Sequence, residues 1–282
     1  MEATPEYLVI GHVTQDLAPD GTSRAGGTAT YSALAAERLG LHVGVVTSAS
    51  DETPLFQHAS MISVRRRSAA QTTTFENVYL NGSRRQYIRG VAERLTDADL
   101  PPGWTRAPIV HLGPVAQEVD PALVGSFPGS LLGVTPQGWL RRWDARGLVS
   151  PVALRDAERI LPAVGVMVLS REDVAGDRQM LEYLLSLVRL AVLTVGREGA
   201  IVYHEGRQQC VPAYVVQEVD PTGAGDVFAT AYLIRLHETG DAIEAARYAN
   251  SAASFAVEGI GTATVPSREQ VERRLRHGHL RA

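Results

Sequence analysis

The chain has 282 residues, 45% of them hydrophobic and 21% charged, so it is long enough to bury a sizeable core and too apolar overall to stay disordered. A formal charge of -4 argues against nucleic acid as a partner, and the single cysteine, Cys210, excludes an internal disulfide and a cysteine zinc cage. No stretch approaches the roughly 18 apolar residues of a membrane span. All 27 basic residues are arginine. Without lysine there is no Walker-type phosphate loop, no protein-kinase strand lysine and no Schiff-base amine. Phosphate charge would have to be met by arginine, metal ions or backbone N–H groups. The start, MEATPEYLVIGHV, lacks the basic stretch and small-residue cleavage site of a secretory signal, so a cytoplasmic address is expected.

In chain order, YLVIG (residues 7–11) reads as a first strand, TATYSALAAERLG (28–40) as an Ala- and Leu-rich helix stopped by Gly40, and HVGVVTSA (42–49) as the next strand. From about residue 63 to 90 β-formers alternate with polar residues, and Asn81-Gly82 between two such runs predicts a hairpin. An antiparallel ribbon inside an alternating α/β chain suggests a small lid; an edge hairpin without a duty is the alternative. Strand-like runs return at 109–113, 131–135, 165–170 and 190–196, with leucines at helical spacing between the last two. AIVYHEGRQQCVP (200–212) predicts a hairpin turning at Glu205-Gly206. Two Ala-rich helices follow, at about 225–238 and 242–258, and a basic tail reads as a terminal helix with a solvated arginine face. The whole is expected to be one domain, residues 1–282, with a lid insertion at about 63–90 and residues 12–25 as a further candidate for it.

The stretch EVDPTGAGDVFATAY (218–232) sets two aspartates around a Gly-Ala-Gly turn that feeds a helix. Such a turn leaves backbone N–H groups pointing into one spot, where the helix dipole adds positive charge and favours anions. In phosphoryl transfer those donors would stabilise charge that grows in the transition state. Asp226, at the helix start, fits either of two parts: a capping carboxylate, or a general base for an attacking hydroxyl. A positive helix end predicts a lowered pKa for it, which a loose transition state tolerates because the hydroxyl proton leaves late. A dinucleotide fingerprint would need a small residue where Phe228 stands, and no Gly-x-Ser-x-Gly elbow or HExxH motif is present.

DPTGAGDVFATAY (220–232) resembles the C-terminal signature of the ribokinase family, the pfkB carbohydrate kinases, and GGTATYSALAAERLG (26–40) is similar to its N-terminal signature. The resemblance implies a ribokinase-like three-layer α/β/α fold with a mostly parallel central sheet and a small β-hairpin lid. It makes Asp226 the catalytic base and the amides of Gly223, Ala224 and Gly225 the anion hole. Asp16, in GHVTQD, matches the aspartate that grips substrate hydroxyls, and Gly26-Gly27 lets backbone approach the substrate. Thr194, Gly196 and Gly199, in TVGREG, resemble the nucleotide-binding strand and turn, and Asn250 the adenine contact. The implied cofactors are ATP, Mg²⁺ and a monovalent cation, with Asp173, in the block SRED, and Asp220 as the candidate metal contacts.

Tyr31 stands where the family often has an asparagine that touches the sugar, which argues against a ribose-like binding mode. GPVAQEVDPAL (113–123) and VTPQGWLRRWD (134–144) are most similar to the myo-inositol kinase-like branch. The expected activity is transfer of a phosphoryl group to a hydroxyl of a small sugar or cyclic polyol by a monomer or homodimer. A nucleoside acceptor is the alternative, with Phe75, Tyr79, Trp139 and Trp143 as a stacking surface. A phosphorylated sugar clamped by Arg84-Arg85 and Arg141-Arg142 is another, and a ligand-binding protein that has lost turnover is a third.

Overall fold

The computed structural model describes residues 3–18, 21–80 and 83–281. Its strands are β1 (Tyr7–Ile10), β2 (Thr14–Leu17), β3 (Ser23–Gly26), β4 (Val43–Ala49), β5 (Ile62–Ser68), β6 (Thr73–Leu80), β7 (Ser83–Gly90), β8 (Ile109–Leu112), β9 (Leu131–Val134), β10 (Arg141–Trp143), β11 (Val149–Pro151), β12 (Val166–Ser170), β13 (Leu190–Thr194), β14 (Gly199–His204) and β15 (Arg207–Pro212). The helices are α1 (Thr28–Arg38), α2 (Ala157–Ile160), α3 (Arg178–Ser186), α4 (Ala224–Thr239), α5 (Ala242–Ala256) and α6 (Arg268–His277).

Nine strands form one sheet in the order β15-β14-β13-β12-β9-β8-β1-β4-β5, parallel from β13 to β5 and closed by the antiparallel β14 and β15. Helices cover both faces, so β1, β4 and β8 are buried along their whole length, which is why they read as runs of Val, Ile and Leu. On one face α1, α4 and α5 share a core with Tyr7, Val9, Val43 and Val192. Their alanines let the helices approach closely. The other face is covered by the short α2 and α3 and by 3-10 turns, over Leu8, Ile10, Trp104 and Met167. This is the three-layer α/β/α arrangement with a mostly parallel sheet. Among the described residues no helix is long and apolar enough to cross a membrane.

The chain runs outward from β1 to β4 and β5, then returns to β8 and runs the other way through β9, β12 and β13. Strand order therefore reverses between β1 and β8, and open α/β sheets bind ligands in the crevice beyond the carboxyl ends of strands at such a point. Here the two exits nearly touch, since a side chain on Gly11 would strike the carbonyl of Gly113.

A second sheet, β3-β2-β6-β7, stands over these exits. The expected boundary at residue 63 needs correction, because β5 pairs in parallel with β4 as the edge of the large sheet and the small sheet resumes only at Thr73. The arginines of β5 made that edge strand resemble a solvated ribbon. The small sheet also takes in β2 and β3 from the second candidate segment, with β2 parallel to β6. Asn81 and Gly82, the expected turn, lie outside the described residues, as do the side chains of Tyr79 and Arg84. A further ribbon, β10–β11, joins the open side of β7 through Tyr87 and Leu148. Its strands of three residues are too short to leave a periodic trace in the sequence.

Candidate active site

Both long helices that point at the crevice begin on a glycine with positive φ. Gly27 (φ 83°) caps α1 and Gly223 (φ 79°) caps α4, neither with a side-chain capping bond. Glycine is required at both, because a Cβ on Gly27 would meet the His12 carbonyl and one on Gly223 would run into the ring of Tyr31. At the mouth of α4 the Ala224 N–H already donates to the Pro221 carbonyl (3.2 Å) and the Val227 N–H to Gly223 (3.0 Å). The N–H groups of Gly225 and Asp226 close no such bond, and a Cβ on Gly225 would meet open space. Of the three amides expected to form an anion hole, Ala224 alone is taken; the N–H of Gly223, like those of Gly225 and Asp226, closes no backbone bond.

Asp226 is half-buried beside these donors. Burial pushes its pKa up, from 3.8 to about 6, against a hydrogen bond with Thr28 and the charge of Arg141, which lower it; Asp173 and Asp16 add to the rise. The sequence expectation of a lowered pKa is corrected here, because loss of water outweighs the Thr28 hydrogen bond and the charge of Arg141. A carboxylate that titrates near 6 is ionised at neutral pH and still holds a proton well, as a general base must. Thr28 also packs against Gly113, so the first turns of both helices meet over the reversal point.

Asp16 lies on β2 opposite Arg24 of β3 and beside Phe75 of β6. It is close enough to act electrostatically on both Asp226 and Tyr31. A Cβ on Gly26 would collide with its carboxylate, so that glycine is what lets Asp16 lie flat along β3. Tyr31 itself is only 3% exposed and Phe75 only 4%. Both are corrections to the expected substrate contacts. Tyr31 forms the floor under Gly223, where burial and then Asp16, Asp226 and Asp220 raise its pKa and keep the phenol protonated. Phe75 joins Ile88, Val115 and Ala116 in a small cluster under the second sheet.

Asp173 accepts from the Ser170 N–H (2.7 Å) and from the Gln137 amide (3.3 Å), so Gln137 brings an amide to the block SRED. Asp220 accepts from the Thr222 N–H (2.9 Å) and so shapes the turn into α4. Thr194 ends β13 with its hydroxyl toward the Leu169 carbonyl (3.4 Å). Gly196 (φ 58°) and Gly199 (φ 107°) turn the chain into β14. Asn250 needs correction: it is 5% exposed, and its amide donates to the carbonyls of Val211 (3.0 Å) and Pro212 (3.1 Å). It fastens α5 to β15 and has no donor left for an adenine ring.

Thr28, Arg24 and Arg141 are site residues that the sequence did not single out for these places. Thr28 follows the glycine pair directly, which was a usable signal; Arg24 had none, and Arg141 stood out only as half of a candidate phosphate clamp. Behind the site, Tyr7 donates to Thr230 (3.1 Å), one turn after Asp226, and meets Nδ1 of His111 (2.8 Å), whose Nε2 meets Thr135 (3.0 Å). Burial lowers the His111 pKa to about 3, so this ring is a neutral strut between β1, β8, β9 and α4.

An α/β fold with an open helix mouth, an ionisable carboxylate beside it and a second sheet above describes the small-molecule kinases of the ribokinase type. A family model for the pfkB family carbohydrate kinases matches residues 156–269. That match runs from the start of α2 to the first turn of α6 and takes in the mouth of α4. A cytidine kinase of Thermococcus kodakarensis is 28% identical over 81% of this chain and 87% of its own. Among solved structures, a pyrophosphate-dependent kinase of the ribokinase family complexed with a pyrophosphate analogue and myo-inositol aligns with a TM-score of 0.76 at 20% identity, over 94% of this chain and 99% of that one. Arabidopsis thaliana ribokinase complexed with ribose and ATP aligns at 0.74 and 20% identity, over 98% of this chain and 100% of that one.

Gly223→Ala should show how tightly the α4 turn is built. The added methyl meets both positive φ and the Tyr31 ring, and a loss of about 2 to 3 kcal/mol is expected in chemical denaturation. Tyr31→Ala in the same chain should return part of that loss, so a double-mutant cycle is the measurement.

Proposed function

We propose that the protein is an ATP- and Mg²⁺-dependent kinase that phosphorylates a hydroxyl of a small sugar or cyclic polyol. The observation that carries this reading is Asp226, ionisable near 6 beside the open N–H groups of Gly225 and Asp226, with Asp16 across the crevice. Asp16 would accept hydrogen bonds from acceptor hydroxyls and turn one of them toward Asp226. Asp226 would take that hydroxyl's proton while the two amides stabilise charge on the migrating phosphoryl group. The β2-β3-β6-β7 sheet would close over the pair as a lid and exclude water.

Among the described residues no three His, Cys, Asp or Glu side chains form a metal cage. Mg²⁺ in phosphoryl transfer is held by one or two carboxylates together with phosphate and water, so Asp173 and Asp220 fit it. When bound it supplies positive charge to the phosphates. A monovalent cation, a monomeric or homodimeric state and a cytoplasmic address complete the proposal.

A polyol fits better than a nucleoside because the aromatic surface for a base is mostly used up: Phe75 and Trp139 are buried, and Trp143 alone of the described candidates is half-buried. The myo-inositol in one neighbour supports the same choice. The likeness to a cytidine kinase over most of the chain is the observation that favours a nucleoside. Measuring ADP release over inositols, pentoses, hexoses and nucleosides decides between them. Turnover with inositols or simple sugars is expected, and turnover with nucleosides alone overturns the polyol reading. Repeating the panel with pyrophosphate as donor tests ATP.

A further inference from the structure

One cavity does not touch the crevice. It encloses about 960 Å³ between β10–β11, α2 and the 3-10 turn at Pro121–Gly125, and neither Asp16 nor Asp173, Asp220 or Asp226 lines it. That volume falls in the range of small-molecule sites, about 300 to 1,000 Å³. Trp139, Leu154 and Ile160, all buried, give it an apolar floor.

Four guanidinium groups stand around that floor. Arg94 is tied to Asp120 (3.2 Å). Among the described residues Arg142 reaches the Ser150 hydroxyl (3.3 Å), and neither Arg155 nor Arg159 has a carboxylate partner. Other arginines do meet carboxylates, as Arg89 with Glu76, Arg235 with Glu244 and Arg274 with Glu258 show. Asp156 is the one other carboxylate on the cavity wall. Three guanidinium groups on its wall make the cavity electropositive, and their planar forks match the oxygens of a phosphate. The two arginines of β10 diverge: Arg142 lines the cavity, while the charge of Arg141 acts on Asp226. Arg142 and its neighbours are thus not a clamp for the acceptor in the crevice.

We propose that this cavity is a second ligand site that takes a small organic phosphate, its apolar body on Trp139, Leu154 and Ile160 and its phosphate on Arg142, Arg155 and Arg159. The site does not depend on the kinase reading. Phenyl phosphate carries both features, so it is the probe, titrated calorimetrically into the full chain at fixed ionic strength beside phenol and inorganic phosphate. One saturable site is expected for phenyl phosphate, with weaker binding of the other two. Affinity should fall about tenfold or more in R155Q/R159Q, and also in R142Q, which guards against a folding defect in the double variant. It should persist in Asp226→Asn. Absence of saturation, equal binding of inorganic phosphate, unchanged affinity in the arginine variants, or loss of binding in Asp226→Asn would each overturn the proposal.

Discussion

Asp226→Asn is expected to lower kcat by a factor on the order of a thousand or more while leaving acceptor and nucleotide binding in place. The amide keeps the size and polarity of the side chain and the open helix mouth, but cannot take the acceptor proton. The same change should stabilise the fold. Burial raises the pKa of Asp226 to about 6, so the folded protein binds this proton more tightly than the unfolded chain does. Well below pH 3.8 the group is protonated in both states and carries no penalty. As pH rises through 4 to 6 the folded state must ionise a poorly solvated carboxyl, and above 6 the cost is complete, on the order of 2 to 3 kcal/mol. Melting curves of wild type and Asp226→Asn should therefore coincide well below pH 3.8 and separate above pH 6, with the variant the more stable. The wild-type profile of kcat/KM should fall as pH drops below about 6. A protein that merely binds ligands would show the stability difference and no turnover to lose. An unchanged kcat would remove Asp226 from the reaction and leave it a capping residue.

The parts of this molecule that repeat a local rule were open to sequence reading. Strands β1, β4, β8, β12 and β13 are buried on both faces and so could only be runs of aliphatic residues; α1, α4 and α5 pack on one another and so carry alanine. The Glu205-Gly206 turn is visible because both residues need positive φ, 50° and 76°. The Gly-Ala-Gly turn is legible because Gly223 needs positive φ, 79°. What escaped was set by tertiary contact. Nothing local told β5 to join β4, and nothing at Asn250 showed that its donors would be taken by β15. Tyr31 looked like a ligand contact because of its position in a motif, yet the missing side chain at Gly223 is what draws its ring inward. The Asp226 pKa failed for a related reason: the dipole of a helix can be read from sequence, whereas the depth of a crevice cannot.

Loss of Glu118 should damage the fold severely, and its sequence context, VAQEVD, gives no hint of that. It is 2% exposed, and its carboxylate accepts the N–H groups of Val115 (3.0 Å), Ala116 (2.7 Å) and His12 (3.1 Å). Val115 and Ala116 follow the end of β8, and His12 follows the end of β1, so one side chain ties together the two exits between which the strand order reverses. His12 passes the constraint on. Its ring meets Thr73 (2.6 Å), the first residue of β6, and the Glu93 carbonyl (2.9 Å) beyond β7, which fixes both ends of the small sheet's main hairpin. Two residues after His12 begins β2, which carries Asp16. Glu118→Ala leaves three buried donors without an acceptor, and orphaned groups of this kind cost about 1 to 3 kcal/mol each. A total loss of about 3 to 5 kcal/mol is expected in equilibrium denaturation, toward the upper end of single-substitution effects. Glu118→Gln keeps one acceptor oxygen and turns an NH₂ group toward a donor, so it should lose less. In Glu118→Gln, provided it folds, KM for the acceptor should rise more than kcat falls, because the small sheet that carries Asp16 is loosened while Asp226 is untouched. Equal stability of wild type and Glu118→Ala would show that water satisfies these amides and that the two exits need no carboxylate between them.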